Sequence, residues 1–226
     1  PIVSSSRAAR LICEKWSANY GYLPDAIVVE GPKAGGHLGF KNEQIEDEHY
    51  SLEHLIPEVV EVARSYAGRK GIPVIAAGGI ATGEDIARFM ALGASAVQMG
   101  SIFVPTEECD ASVKFKQVSL NAHREDIRII QSPVGMPGRA FDGEFIRKVA
   151  EGKEKPRSCP FHCIKTCDYT KSPYCIIKAL YNAARGNMKK GYAFAGGNAY
   201  LSDRIRSVKE VIEKLKADFF LSKALL

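Results

Sequence analysis

The stretch IPVIAAGGIATGEDIARFMALGASAVQMGSIF, residues Ile72–Phe103, decides the fold of this chain. Its first part, Ile72–Ala77, is a continuous apolar run typical of a parallel strand that is buried on both faces. Two glycines follow, and Thr82 with Asp85 three residues later predicts the capped start of a helix. A second run, Ala96–Met99, then ends in a glycine. The stretch therefore predicts a strand–helix–strand unit with a small turn after each strand.

Both turns of this unit are of a kind that binds phosphate. Gly78–Gly79 follows the first strand and Gly100–Ser101 the second, and the backbone N–H groups of such turns can approach an anion closely. In (β/α)₈ barrels the loops after the seventh and eighth strands commonly form a phosphate site. Ordinary packing of a parallel sheet explains the same glycines, so the turns alone identify no ligand. The helix between them should bury Ile86, Phe89 and Met90.

Two further strand–helix units precede this stretch. An extended start at Pro1–Ser4 leads into a helix capped by Ser5 or Ser6, and the β-branched run Ala26–Glu30 leads to a second helix. Four strands that alternate with helices predict an α/β fold with a parallel sheet. Because four is half the number of strands in a barrel, we expect strands five to eight, the C-terminal half of a (β/α)₈ TIM barrel, within residues 1–105.

The start of the chain fits that expectation. It lies flush against a strand without an initiator Met, which is typical of a truncated or processed protein. A small four-stranded parallel domain is the alternative, and it would leave two strand edges unpaired.

The segment EGPKAGGHLGF, residues Glu30–Phe40, predicts a second site. It follows a strand at its carboxyl end, where barrel enzymes place their chemistry, and it presents His37 after two glycines. Histidine can accept a proton near neutral pH. A histidine in a surface loop is the alternative interpretation. We expect His49, His54 and His123 to face solvent, because they lie in polar or amphipathic helical contexts.

Residues 106–226 form a predicted extension of helices and loops. Its patterns predict a loop at Met136–Phe141, a helix at Pro173–Arg185, a glycine-rich turn at Gly191–Leu201 that either joins helices or lines the site, and a terminal helix that starts with the capping box Ser207–Glu210. The same extension carries four clustered cysteines, Cys159, Cys163, Cys167 and Cys175. Their spacing is neither the paired CxxC of zinc sites nor a common ferredoxin pattern, so a metal or cluster and reduced, packed thiols both remain open.

Composition excludes several classes of protein. The 226 residues are 46% hydrophobic and 25% charged, as in ordinary globular proteins, and no apolar run has the ~18 residues of a membrane span. We therefore expect a cytoplasmic protein that binds no membrane. The net charge of +5 includes a basic cluster at Lys148–Arg157, which we interpret as a solvated face. Since no aromatic residues interleave with it, we expect no binding of nucleic acid.

Three segments together resemble a known family. GPKAGGHLGF, PVIAAGGIATGEDI and AVQMGS are similar to the strand-end segments of the nitronate monooxygenase family, formerly called 2-nitropropane dioxygenases, which also includes FMN-dependent enoyl-acyl-carrier-protein reductases. The resemblance covers Pro1 to about Phe103 and resumes at GYAFAGGNAY and the terminal helix. Family members are FMN-binding (β/α)₈ barrels with a helical insertion or extension over the active site.

The resemblance implies a role for each residue that matches a family motif. His37 corresponds to the active-site histidine, and Gly35 and Gly36 would lie beside the flavin. The FMN phosphate would bind the backbone of the residues that end the last two strands, namely Gly78, Gly79, Gln98, Met99, Gly100 and Ser101. The chain lacks the N-terminal strands that normally contact the isoalloxazine ring, which puts FMN binding by this chain alone in question.

Two enzymatic activities follow from the resemblance. In one, His37 removes the α-proton of a nitroalkane, and the nitronate is oxidised with FMN and O₂. In the other, NAD(P)H supplies electrons through FMN for reduction of an enoyl thioester. The expected partner is thus a small-molecule substrate, and a homodimer remains open. The alternative outside enzymes is a domain that binds a phosphate-bearing ligand without turnover.

Overall fold

The computed structural model describes residues 1–67, 71–165 and 167–224. The strands are β1 (Ile2–Val3), β2 (Ile27–Glu30), β3 (Gly36–His37), β4 (Val74–Ala77), β5 (Ala96–Gln98), β6 (Ile127–Gln131) and β7 (Pro137–Phe141). The helices are α1 (Ser6–Tyr20), α2 (Leu52–Ala67), α3 (Gly83–Ala91), α4 (Val113–Leu120), α5 (Glu144–Ala150), α6 (Ile176–Ala184) and α7 (Val208–Lys223).

These elements belong to two compact units. The first unit comprises residues 1–34, 39–100 and 209–226, and the second comprises residues 35–38 and 101–208. The division after residue 105 that the sequence suggests stays a prediction. Among the described residues, no helix combines the length and the apolar character needed to cross a membrane.

The first unit contains a four-stranded parallel sheet in the order β1-β2-β4-β5. Its register places Val28 beside Ile75 and Ala76 beside Val97. Consecutive strands run parallel because α1, α2 and α3 return the chain between them. The predicted α/β fold with a parallel sheet is confirmed. That these strands are the second half of a barrel stays a proposal.

Local sequence sets the helix ends of the first unit. The Ser5 side chain accepts a hydrogen bond from the Ala8 N–H (3.2 Å) at the start of α1, and Gly21 ends that helix with a left-handed backbone (φ 72°). Thr82 and Asp85 form a capping box at the start of α3, as the sequence predicts.

The core of the first unit lies between the sheet and its helices. Fully buried side chains on β2 and β4 meet buried residues of α1 and α2, among them Ile27, Val29, Val74, Ala76, Ala9, Cys13, Ile56 and Val59. The expected stripe of α3 is only partly right. Phe89 and Ala87 are buried, but Met90 is 41% exposed. Met90 directly follows the buried Phe89, so it points about 100° away from it around the helix.

The second unit contains an antiparallel sheet in the order β3-β7-β6. The expectation of a loop at Met136–Phe141 was wrong, because β7 pairs along its whole length with β6. Met-Pro-Gly reads as a turn, but proline is tolerated as the first residue of a strand. Gly138 is needed in this strand, since a Cβ there would lie 3.0 Å from the Phe194 ring.

Helices and aromatic side chains bury the sheet of the second unit. One cluster joins β6 and β7 to α5 and α6 through Phe145, Tyr174 and Tyr192. A second cluster joins Phe141 to Ala193 and Ala195. The helix expected from Pro173 begins at Ile176 as α6, because the residues before it form turns.

Candidate functional site

The turn after β4 holds two consecutive left-handed glycines. Gly78 has φ 100° and Gly79 has φ 79°, a region that strongly favours glycine. A Cβ on Gly78 would lie 2.9 Å from the Gly31 carbonyl oxygen, and one on Gly79 would lie 2.7 Å from the Cβ of Lys33. The packing of the chain against itself therefore requires both glycines. It also lays the aliphatic stem of Lys33 over the turn.

Several backbone N–H groups at the start of α3 are hydrogen-bonded within the cap of the helix itself. The Thr82 hydroxyl accepts from the Asp85 N–H (3.0 Å), and the Asp85 carboxylate accepts from the N–H groups of Ala81 (2.9 Å) and Thr82 (3.1 Å). A Cβ on Gly83 would collide with Leu215 and its neighbours on α7. Fewer N–H groups at this helix end are therefore free to bind an anion.

The residues after β5 are more exposed. Gln98 and Gly100 are exposed and Met99 is half-buried. No atom of the described residues lies within 4 Å of the position of a Cβ on Gly100, so the backbone there borders open space. Ser101, which belongs to the second unit, accepts a hydrogen bond from the Gly196 N–H through its hydroxyl (3.0 Å). Its hydroxyl hydrogen is left to donate to another group.

The structure divides the predicted site residues between the two units. Gly78, Gly79, Gln98, Met99 and Gly100 lie in the first unit, whereas Gly35, Gly36, His37 and Ser101 lie in the second. Gly35 is required locally, because a Cβ would lie 2.6 Å from the Gly196 nitrogen. Gly36 has φ 86° and nothing within 4 Å of its Cβ position, so its backbone also borders open space.

His37 lies at the end of β3 with one ring nitrogen already bonded. Its Nε2 atom is 2.7 Å from the Ser132 hydroxyl, and its ring meets Phe194 edge to face at 5.1 Å between centroids. Burial lowers the pKa of His37 below its ordinary 6.5, because the cationic form loses hydration. The imidazole is therefore neutral at neutral pH. The expectation that His49, His54 and His123 face solvent is confirmed.

The Ser132 hydroxyl links His37 to two buried tyrosines. Its oxygen also accepts from the Val134 N–H (3.4 Å), and Ser132 is hydrogen-bonded to Tyr174, which in turn donates to the hydroxyl of Tyr192 (3.2 Å). In the tautomer in which Nε2 of His37 donates to Ser132, the lone pair of Nδ1 is available to accept a proton.

The two tyrosines at the far end of this chain of hydrogen bonds are buried. Tyr174 and Tyr192 have relative exposures of 3% and 2%. Burial raises the pKa of each phenol, so both remain protonated donors across the physiological range. Phe145 stacks on Tyr192 with 9° between the ring planes and fixes its position. The hydrogen-bond network therefore connects His37 to side chains of the packed core, which fix its position.

The side chains that contact His37 were not predicted from the sequence. Ser132 follows β6 in the turn of a hairpin, and the Ser-Pro-Val-Gly sequence between two β-prone runs is a hairpin signal that could have located it. Phe194 lies in the glycine-rich segment 191–201, which thus contacts the histidine and also packs in the core. Tyr174 and Tyr192 carry no sequence signal, because buried tyrosines are common in cores.

The chain is similar to proteins of one known family. The family model "Nitronate monooxygenase" matches residues 1–218. The chain belongs to the nitronate monooxygenase family. A probable nitronate monooxygenase of Staphylococcus aureus (strain Newman) is 33% identical over 191 residues, which are 84% of this chain and 52% of that protein. The family that the sequence suggests is thus confirmed.

Two solved structures are similar to the whole chain. FabK from Thermotoga maritima has a TM-score of 0.74 and 30% identity, and the match covers 100% of this chain and 61% of FabK. A nitroalkane oxidase from Streptomyces ansochromogenes has a TM-score of 0.70 and 25% identity, with 99% of this chain and 58% of the oxidase covered. The chain spans about half the length of the staphylococcal relative and about three fifths of these two proteins.

Proposed function

We propose that this chain is part of an FMN-dependent oxidoreductase that removes a proton from nitroalkanes and oxidises the resulting nitronates with O₂. The observation that carries the proposal is the state of His37. Its Nε2 atom is bonded to Ser132 at 2.7 Å and its ring is neutral. We assign the single proton of the neutral ring to Nε2, which leaves the Nδ1 lone pair available. This is what a general base for a weakly acidic C–H bond requires. The family membership and the likeness to a nitroalkane oxidase support the same chemistry.

The residues fit a bound flavin phosphate. The Gly78–Gly79 turn is left-handed at both residues and carries no side chain, and Gly100 borders open space. We assign the phosphate to Gly78, Gly79, Gln98, Met99, Gly100 and Ser101. Lys33, whose stem packs over Gly79, adds a cation that suits the phosphate dianion. We place Gly35 and Gly36 beside the flavin ring, as the family resemblance implies.

Each residue contributes a defined step. His37 Nδ1 accepts the α-proton of the neutral nitroalkane, and the ring becomes an imidazolium. The Ser132 oxygen then accepts a charge-assisted hydrogen bond from Nε2, which stabilises the cation as it forms. Phe194 packs on the ring edge and limits its rotation. FMN, when bound, supplies the electron acceptance that oxidation of the nitronate needs.

Reduction of an enoyl thioester with NAD(P)H is the second candidate, and the likeness to FabK favours it. A reductase needs a proton donor at the site. The lowered pKa of His37 makes its ring a poor store of protons at neutral pH, which favours the role of a base. A cytoplasmic location and a homodimer are compatible with either activity and stay predictions.

Two measurements test the proposal. The purified protein, incubated with FMN, should show flavin absorption that remains after gel filtration. A preparation that stays colourless would refute flavin binding by this chain. Oxygen uptake with neutral nitroalkane and with pre-formed nitronate, compared with NAD(P)H oxidation in the presence of an enoyl thioester, distinguishes the two activities. His37→Ala should suppress uptake with the neutral nitroalkane and spare the pre-formed nitronate, whereas equal losses would contradict the role of a base.

A further inference from the structure

Four of the six cysteines lie around one cavity in the second unit. All six are free thiols, and Cys159, Cys163, Cys167 and Cys175 line the same pocket. The pocket walls are otherwise largely apolar, with Pro133, Val134, Pro156, Ile164 and Ile176 among them. The remaining two cysteines, Cys13 and Cys109, are outside this group. Neither the proposed flavin chemistry nor His37 makes use of these four thiols.

The four thiols also lie near one another, because Cys159, Cys163 and Cys175 are all close enough to Cys167 to interact with it electrostatically. Four thiols around one cavity are a donor set for a divalent or higher cation, because thiolates are the soft ligands that such cations prefer.

The segment that carries the four cysteines has no helix or strand in its described residues. Between α5 and α6 the described part of residues 151–175 contains only turns and bends. A structureless segment of this length inside a compact domain is uncommon unless it is functional or held by another interaction. His162, directly before Cys163, adopts a left-handed backbone (φ 44°), a strained conformation for a non-glycine residue. Bound metal often supplies the folding free energy of such segments.

Charge in the same segment suits a thiolate centre. Five basic residues flank the cysteines, namely Lys153, Lys155, Arg157, Lys165 and Lys171, against three acidic ones, Glu151, Glu154 and Asp168. A divalent cation with four thiolates carries a net charge of about −2, and neighbouring cations offset it.

We propose that Cys159, Cys163, Cys167 and Cys175 bind a thiophilic metal centre, a single Zn²⁺ or an iron–sulfur cluster, that orders residues 153–175. Four thiolates without other ligands are the donor set of both centres. On binding, each thiol releases its proton to solvent as its sulfur forms a bond to the metal. Zn²⁺ keeps its oxidation state throughout, and a cluster would be inserted already assembled from iron and inorganic sulfide. Among the described residues no three His, Cys, Asp or Glu side chains already converge on one point. Binding therefore draws the exposed Cys163 and Cys167 inward towards the half-buried Cys159 and Cys175.

Metal analysis of protein purified without oxygen tests this proposal. Stoichiometric zinc without sulfide identifies the Zn²⁺ site, and iron with a matching amount of acid-labile sulfide identifies a cluster. Flavin is quantified separately after acid release, so a failure of FMN binding leaves the metal result readable. Thiol titration of the unfolded protein confirms that the cysteines are reduced.

Cysteine variants distinguish metal that is bound by the four cysteines from metal that is bound adventitiously. Cys163→Ser with Cys167→Ser should abolish the bound metal, whereas the control Cys109→Ser should retain it. If the double variant fails to fold, titration of the metal-depleted wild-type protein with Co²⁺ decides instead, because tetrahedral thiolate ligation gives absorption bands at longer wavelength than flavin. Reduced protein that takes up neither zinc nor iron after reconstitution, and shows no such Co²⁺ bands, would overturn the proposal.

Discussion

Replacement of Ser132 by alanine isolates the hydrogen bond that prepares His37 as a base. The variant removes the oxygen that lies 2.7 Å from Nε2, which is also a hydrogen-bond partner of Tyr174. It leaves Phe194, which packs on the imidazole ring, unchanged. His37 then keeps its place but loses the group that fixes its tautomer and stabilises its cationic form.

The size of the effect follows from the change in this bond during the reaction. With neutral His37 the bond contributes about 1 kcal/mol, and with the imidazolium about 1.5–3 kcal/mol. The difference of about 0.5–2 kcal/mol falls on the proton-transfer step, and its midpoint, about 1.3 kcal/mol, corresponds to a loss of about tenfold in rate. The same difference lowers the pKa of His37 by about one further unit, because the protonated form loses the stronger bond.

Steady-state oxygen uptake by the FMN-loaded protein provides the assay. We expect Ser132→Ala to lower kcat/KM for a neutral nitroalkane about tenfold, to move the acid limb of its pH profile to lower pH, and to leave turnover of pre-formed nitronate unchanged. Ser119→Ala is the matched control, since Ser119 is a buried serine of the same unit that donates to the Ala199 carbonyl (2.8 Å). Equal losses with both substrates, or an unmoved acid limb, would refute the assigned tautomer.

Three further predictions concern the charges and glycines of the site. Because burial lowers the pKa of His37, activity with neutral nitroalkane should be retained as the pH falls to 6.5 and be lost only below it. A midpoint at or above pH 6.5 in the pH profile of kcat/KM would contradict a desolvated imidazole. Gly78→Ala, which is strained at φ 100°, should lower the free energy of unfolding by about 1–3 kcal/mol in urea denaturation. Gly100→Ala should change that free energy by less than about 0.5 kcal/mol yet weaken FMN binding. A larger loss of stability in Gly100→Ala than in Gly78→Ala would count against the site. Lys33→Met should raise the Kd for FMN severalfold, by less at high salt, while riboflavin, which lacks the phosphate, should bind both proteins equally in fluorescence titrations.

The parallel half of the fold was predictable because its signals are local. The segment Ile72–Phe103 contains an apolar run of the length of a strand, a capping box and a glycine turn. The structure has β4, α3 and β5 there. The pairing of β3 with β7 in the antiparallel sheet was not predictable, because these two strands lie far apart in the chain. His37 on β3 faces Gly138 on β7, about a hundred residues later, and no property of either segment alone indicates the pairing.

The same physics explains why the histidine was found and its partners were not. His37 stands out through its position after a strand and two glycines, whereas Ser132 becomes significant only when the β6–β7 hairpin brings it to Nε2. The surroundings of the site also depend on side chains that lie deeper in the core. Ser132 is hydrogen-bonded to Tyr174, and Tyr174 donates to Tyr192. The histidine at the end of β3 is therefore positioned by way of two buried phenols, and this information resides in the packed core and in no short motif.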